Sequence, residues 1–410
     1  MTHTMSLDRR TRRDCDVRKL TPGDFFGGEF SALAAAHGEI VATAMRALDA
    51  PPLAVEVGDA SWTVVRDGNG ISVREGIVEG AIVVTLSPDQ FSDWVQNQTS
   101  LNGFMVARNL QFRNGSAAEV SLWDSLWLGL LEGWPAVDET LTFVDRRGAP
   151  LDLQQSFGDG DDPDEIRHFL REAGFLRLRG WLDPADMDAI SADMDRVLPD
   201  YVEGDGKSWW ASLADGSRVC VRLQEFVEHS PTTARILAGE RWDRLRTLLG
   251  GADTLVRAPV EGRIIEALVK PVGVVSGPSD LSFHRDCHLG RHAYKCATLT
   301  IGISLSASGE RNGGLRVIAG SHRVAMPVEI ARTRPYLPVV ALDTDKGDLT
   351  VHLSCTLHEA TAPKTAERRV MYTDFSLEAL PGSDAKESAA LLDIREKVSD
   401  LHRDRNVRLA

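Results

Sequence analysis

The chain has 410 residues, 43% of them apolar and 26% charged, and a formal net charge of −14. Its length exceeds one typical domain and sets two as the expectation, and its balance of apolar and charged residues excludes a disordered or fibrous chain. A surface this acidic repels phosphate backbones and anionic membranes, and no Lys/Arg run is long enough to reverse that, so nucleic acid is excluded as a partner.

The N-terminal stretch MTHTMSLDRRTRRDCDVRKL is basic but lacks the apolar core of a secretory signal, and residues 1–29 read as a flexible basic arm. Residues 30–49, FSALAAAHGEIVATAMRALD, are Ala-rich with apolar positions at helical spacing, and His37 falls on the exposed face of that helix. The runs SWTVVRDG, GISVREG and GAIVVTLS follow, separated by Gly-containing turns as in a meandering sheet. SPDQFSDWV begins a helix, with Ser87 as N-cap, Pro88 in the first turn and Gln90 closing a capping box. In LWDSLWLGLLEGW the residues Leu122, Trp123, Leu126, Trp127, Leu130 and Leu131 form a wide apolar stripe. It reads as a helix packed on the sheet, with the lining of an apolar ligand cavity as the functional alternative.

Residues 151–164 form an acidic linker whose most polar part, SFGDGDDPD, has no apolar residue after Phe157. A second unit over 165–410 opens with a helix, the strand FLRLRG and a helix capped by Asp183 with Pro184 behind it. Trp209 and Trp210 fall in a polar loop and are read as a lid over a substrate, with core packing as the alternative. Short β-branched runs between 260 and 376 then predict a sandwich or barrel with a helical buttress. No apolar stretch reaches the roughly eighteen residues of a membrane span, so membrane insertion is not expected. The scattered cysteines Cys15, Cys220, Cys287, Cys296 and Cys355 lack a CxxC pair, which indicates a reducing cytoplasm and argues against a Cys-based zinc site.

The stretch SFHRDCHLG carries the chemistry. On an extended segment His284 and Asp286 share a face while Arg285 and Cys287 point away, so both ligands reach one ion. A two-His-one-carboxylate iron site needs one more histidine from elsewhere in the fold and leaves coordination positions open. GDLTVHLSCTLHEATAPKTAERRVMYTDF offers His358 at a strand end, followed by Arg368 and Arg369, either of which can pair with a carboxylate. His288 and His292 are weaker ligand candidates, His352 belongs to the strand, and His322 holds a turn by a backbone hydrogen bond.

Two resemblances follow. The order strand, Ser-Pro helix start, helix, Phe-Met segment, strand and closing apolar helix over residues 30–150 resembles the sterol-carrier-protein fold, which implies an α+β domain holding lipids or acyl chains. Residues 165–378, with GFLRLRGWLDPADMDAI, the HRD triplet, NGGLRVIAGSHR and GDLTVHLSCTLHEATAP followed by RR, resemble the phytanoyl-CoA dioxygenase family. That resemblance implies a double-stranded β-helix (jelly-roll, cupin-like) domain with buttressing helices, Fe(II), 2-oxoglutarate as co-substrate and O2. Carried over by residue, it makes His284, Asp286 and His358 the iron ligands and Arg369 the grip on the far carboxylate of 2-oxoglutarate. Arg368 is the rival, because a one-residue slip flips the side chain across the strand.

The sequence departs from the family at Ala319, where IAGSH replaces IPGSH, and after His358, where EATAPKTAERR has no Asn-x-Ser pair. With Asp286 in place the resemblance implies hydroxylation of an unactivated C–H bond rather than halogenation, with desaturation or ring formation left open because both start from the same hydrogen abstraction. The lipid-carrier-like half suggests a small apolar, lipid-like or natural-product-like substrate. The rival readings are a non-catalytic lipid-binding or scaffold protein with an inactive oxygenase half, and a zinc hydrolase using the same three ligands.

Overall fold

The computed structural model describes residues 17–251, 255–257, 266–277, 280–289 and 298–377. The N-terminal unit begins earlier than the expected arm allows. Leu20, Phe25 and Phe26 are buried in its core, and the Arg18 amide donates to Gln96 Oε1 at 3.0 Å. Three apolar side chains inside the basic stretch are enough to anchor it; residues 1–16 of the arm lie outside the described residues.

Helix α1 (Phe30–Ala47) leads into β1 (Leu53–Val57), β2 (Ala60–Asp67), β3 (Gly70–Glu75) and β4 (Ile82–Thr85). Then come α2 (Pro88–Val95), α3 (Leu101–Val106), β5 (Gln111–Arg113) and α4 (Ala117–Glu132). The sheet runs β3-β2-β1-β4-β5, with β1 and β4 parallel and the other neighbours antiparallel. Ser87 and Gln90 close the capping box of α2, and Ser116 with Glu119 repeats it on α4. The tryptophan-rich stripe is the buried side of α4. Trp123, Leu126, Trp127 and Leu130 lie in the core, and Trp127 stacks on Trp94 with ring centroids 3.9 Å apart. His37 is not on an exposed face: it is half-buried, with Nδ1 2.7 Å from the Leu130 carbonyl, because α1 packs along α4.

The acidic linker is tied down at its one aromatic residue. Phe157 is buried in the core of the second unit, its amide donates to the Arg177 carbonyl, and its carbonyl accepts from the Arg179 amide. Asp162 then caps α5 (Pro163–Ala173).

The second unit continues through β6 (Phe175–Leu178), α6 (Pro184–Val197), β7 (Ser208–Leu213), β8 (Arg218–Leu223), α7 (Pro231–Ala238) and α8 (Glu240–Gly250). After these come β9 (Leu255–Arg257), β10 (Glu266–Lys270), β11 (Val274–Ser276), β12 (Leu281–His284), β13 (Thr298–Ser304) and β14 (Leu315–Ile318). Helix α9 (Val328–Thr333), β15 (Val339–Leu342), β16 (Leu349–Leu353), β17 (His358–Ala360) and β18 (Arg368–Leu377) complete it.

Among the described residues the major sheet runs β11-β7-β8-β10-β18-β13-β16-β6, with β9 also on β18, and the minor sheet runs β12-β17-β14-β15. Strand alternation gives the major sheet two different faces. One carries Leu299, Ile301, Ile303, Val351, Met371 and Phe375 into the main core with α5 to α8. The other carries Thr300, His352 and Asp374, which are direct cross-strand neighbours, toward the minor sheet. Trp209 and Trp210 sit on β7, not in a loop, and the Arg222 guanidinium lies 4.1 Å from the Trp209 ring centre. Among the described residues no helix is long and apolar enough to cross a membrane.

The two units touch beside the metal-ligand segment. Asn102 Nδ2 of α3 lies 3.4 Å from His288 Nδ1, the Ala325 amide donates to the Pro135 carbonyl at 2.9 Å, and the Tyr336 hydroxyl donates to the Ala136 carbonyl at 2.8 Å.

Candidate metal centre

β12 ends at His284, a single 3-10 turn begins at Asp286, and β17 begins at His358; the direct pairing of His284 with His358 brings both histidines to one edge. One ligand atom from each of His284, Asp286 and His358 lies within 4.8 Å of the others. Asp286 Oδ1 is 3.6 Å from His284 Nε2 and 3.6 Å from His358 Nε2. Each histidine turns Nδ1 to the carbonyl two residues before it, His284 to Ser282 at 2.9 Å and His358 to Thr356 at 3.0 Å. Those carbonyls hold the Nδ1–H tautomer and leave both Nε2 lone pairs facing Asp286 Oδ1. The other carboxylate oxygen, Oδ2, accepts a hydrogen bond from the Thr300 hydroxyl at 3.1 Å.

Burial works to raise the Asp286 pKa, but His358, His284 and His352 together hold it well below the usual carboxylate range. Burial, then His352 and His284, push His358 well below the ordinary imidazole value against the pull of Asp286. An ionised Asp286 carboxylate and a neutral His358 imidazole are therefore favoured, the forms in which these two groups bind a cation.

Arg285, between the two ligands, is buried and points the other way. Its Nε donates to the Cys355 carbonyl, Nη1 to Met326, and Nη2 to Ser321 and Val324, over 2.9–3.4 Å. One side chain thus ties the first two ligands to the turn before His358 and to the Ser321–Met326 loop. Ala319, where the family resemblance leads to proline, donates its amide to the Pro338 carbonyl at 2.9 Å, a bond that proline cannot make. His322 does hold backbone: its Nε2 lies 2.9 Å from the Arg171 carbonyl. His292 lies outside the described residues, and His288 faces the N-terminal unit.

His352 is the residue that the motif reading missed. It is buried, its ring centre is 4.1 Å from that of His358, and its Nε2 is 3.6 Å from Asp286 Oδ2. A histidine between Val351 and Leu353 on a buried strand was the available signal, since alternation puts it opposite the core face.

The two arginines part company at the start of β18. Arg369, first choice by spacing, faces α6: it donates to the Ser191 carbonyl at 3.0 Å, to Asp195 at 2.7 Å and to Glu367 at 2.8 Å. Arg368 lies on the face of Thr300 and His352, is 2% exposed, and its Nε and Nη2 have no hydrogen-bond partner among the described residues. A buried guanidinium with unmade bonds fits an anionic ligand.

Residues 170–371 match the family model described as Phytanoyl-CoA dioxygenase (PhyH). The match takes in all three candidate ligands, His284, Asp286 and His358. No curated protein sequence matches the chain. Similar solved structures include AviO1 from Streptomyces viridochromogenes Tue57, at 21% identity over 54% of this chain and 98% of that one, with a TM-score of 0.44. SnoN, described as a non-heme alpha ketoglutarate dependent epimerase from nogalamycin biosynthesis, shows 22% identity over 55% of this chain and 90% of that one, TM-score 0.42. EctD from S. alaskensis with 2-oxoglutarate and 5-hydroxyectoine shows 18% identity over 62% and 93%, TM-score 0.42. The cofactor set of this PhyH domain is Fe(II) with 2-oxoglutarate and O2, and the His–Asp–His cluster has the donor set that such iron takes.

Proposed function

We propose that the protein is a 2-oxoglutarate-dependent iron oxygenase that hydroxylates an unactivated C–H bond of a small molecule. The observation that carries this reading is the convergence of His284 Nε2, His358 Nε2 and Asp286 Oδ1 on one point inside the PhyH domain. When bound, iron(II) with 2-oxoglutarate and O2 supplies the oxidising power for that attack. The chain's own residues do the rest. Ser282 and Thr356 carbonyls aim the two imidazoles, Thr300 fixes the second oxygen of Asp286, and Arg285 holds the three ligand segments in register. Arg368 receives the far carboxylate of 2-oxoglutarate, while Arg369 serves the contact with α6.

The wall facing the metal ligands carries Thr300, Thr350, Tyr372 and Asp374, all on one face of the major sheet by register. So polar a wall favours a substrate with hydrogen-bonding groups beside its reactive carbon over a bare hydrocarbon. A natural-product-like molecule meets that condition.

The test is an oxygen-free titration of the full-length protein with iron(II) and 2-oxoglutarate, followed by visible absorption and then, with air, by succinate release. A charge-transfer band in the wild type that disappears in His358→Ala and Asp286→Ala supports the reading. Equal 2-oxoglutarate binding in all three proteins removes the metal from the site.

A further inference from the structure

Two cysteines meet behind the metal ligands. Cys287 follows Asp286 inside the 3-10 turn Asp286–Leu289, and Cys355 lies three residues ahead of His358. Both side chains are buried, and they pack on each other in a cluster of their own. The Cys287 amide donates to the Ser354 carbonyl at 3.2 Å, which holds the two backbones together beside the sulfurs. A disulfide asks for that closeness, with Cα atoms about 4.4–6.8 Å apart and the side chains directed at each other. Both residues are thiols here and not a disulfide.

Their surroundings differ from those of an inert core cysteine. The pair lines the cleft between the two units with Arg285, His288, Ser321 and His322, an opening that a small oxidant can enter. Arg285 donates to the Cys355 carbonyl at 3.0 Å and places a positive charge beside that residue, the kind of setting in which cysteines react. Cys220 is the contrast: it sits in the main core, and burial pushes its thiol up to about 12. A second metal does not fit the pair. Among the described residues the one group of three metal-binding side chains is His284, Asp286 and His358, so nothing completes a site around the two sulfurs.

We propose that Cys287 and Cys355 form a redox switch on the metal centre: as thiols they leave the ligands in place, and as a disulfide they lower the affinity for the metal. The inference rests on the metal reading of His284, Asp286 and His358. Hydrogen peroxide is the oxidant. One thiol takes an oxygen atom from it, giving a sulfenic acid and the first water. The second sulfur then attacks the first, the S–O bond breaks, and the S–S bond forms with release of the second water. Two thiols and one peroxide thus become one disulfide and two waters. Sulfurs in contact lie about 4 Å apart and bonded ones about 2.05 Å. Closing that gap draws the Asp286 turn and the turn before His358 toward each other. A ligand constellation tolerates displacements of only about 0.5 Å, so the metal is held less well.

The experiment treats the metal-free full chain with hydrogen peroxide, digests it without reduction and reads the peptides by mass spectrometry. Calorimetry then measures affinity for manganese(II), chosen because thiols compete for zinc(II). The expected result is a peptide pair joined through Cys287 and Cys355 and a dissociation constant at least about tenfold above that of the reduced protein. Dithiothreitol reverses both. Cys355→Ser keeps its manganese(II) affinity after peroxide, and Cys355→Ala gives the same comparison if the serine variant does not fold. Linkage supplies a second readout: in a glutathione redox buffer, saturating manganese(II) shifts the balance toward thiols by the same factor by which the disulfide weakens the metal.

Treated protein without the Cys287–Cys355 link, or linked protein with the affinity of the reduced form, overturns the switch and leaves the metal reading standing. A loss of affinity that dithiothreitol does not reverse, or that Cys355→Ser shares, assigns the damage to other residues and overturns it as well. Reduced wild type that binds no manganese(II) overturns the metal reading and the switch together.

Discussion

At the scale of single residues, neighbours in sequence do opposite work because a strand alternates its faces. Arg368→Met is expected to raise the dissociation constant for 2-oxoglutarate on the order of a hundredfold, since a bidentate charged contact is lost. Arg369→Met leaves that constant within about a factor of two and costs at most about 1 kcal/mol of stability, because its partner Asp195 is largely exposed. Titration of both variants with 2-oxoglutarate, beside urea unfolding, checks the pair. His322 gives a pH prediction of definite sign. Burial pushes its pKa down to about 4 from 6.5. On acidification the unfolded chain takes up the proton near pH 6.5 while the folded ring waits until about 4, so the fold loses stability as pH falls through that window and keeps it above. The loss is on the order of 2–3 kcal/mol for a ring that is mostly covered. Urea unfolding at several pH values should show this acid limb in the wild type and a flatter one in His322→Asn.

At the scale of elements, the metal ligands are held by junctions and not by strands alone. Gly174 ends α5 with φ of 83°, and its carbonyl accepts from the Leu353 amide at 3.1 Å and the Thr356 hydroxyl at 2.8 Å, just ahead of His358. A Cβ there meets His322 Nδ1 and Thr356 Oγ1. Gly174→Ala is therefore expected to lower stability by roughly 2–4 kcal/mol, from left-handed backbone strain plus overpacking. It should also weaken metal binding, and a scan of unfolding temperature with a zinc(II) titration reads both effects. Much of this was legible in the sequence. The alternation in HRD put His284 and Asp286 on one side, the capping boxes at Ser87 and Ser116 marked helix starts, and the β-branched runs marked the sheets. The choice between Arg368 and Arg369 was open in the motif spacing, yet the strand held the answer. Met371 and Phe375 share the parity of Arg369, so the apolar core claims that face and leaves Arg368 on the other. Phe157 inside an acidic run and Phe25 inside a basic one were harder to place, because a single apolar residue can pin a segment that composition marks as solvated.

At the scale of the whole molecule, the N-terminal unit is built against the back of the metal site. Arg285, Cys287, His288, Trp94, Trp127 and Asp124 line one small cleft between the units. Asp124 Oδ1 and Oδ2 each accept from an amide of the first turn of α3, at 2.7 Å, and α3 presents Asn102 to His288, two residues beyond Asp286. Any ion that fixes Asp286 therefore stabilises a turn against which the N-terminal unit packs. A ligand that binds only the folded state raises stability by an amount set by its concentration over its dissociation constant, about 4 kcal/mol at a thousandfold excess. If the units unfold together, that gain reaches both. Calorimetry of the full chain is expected to show one transition that moves upward as a whole on adding zinc(II), with tryptophan fluorescence from Trp94 and Trp127 following the same midpoint. Two transitions, of which only the later responds to metal while the fluorescence follows the earlier, would mean that the N-terminal unit stands apart energetically despite its contacts. The Asp286→Ala variant sharpens the comparison. It should lose the metal-dependent shift in both signals at once, because Asp286 is itself a ligand and begins the turn that carries His288 against Asn102 of the N-terminal unit.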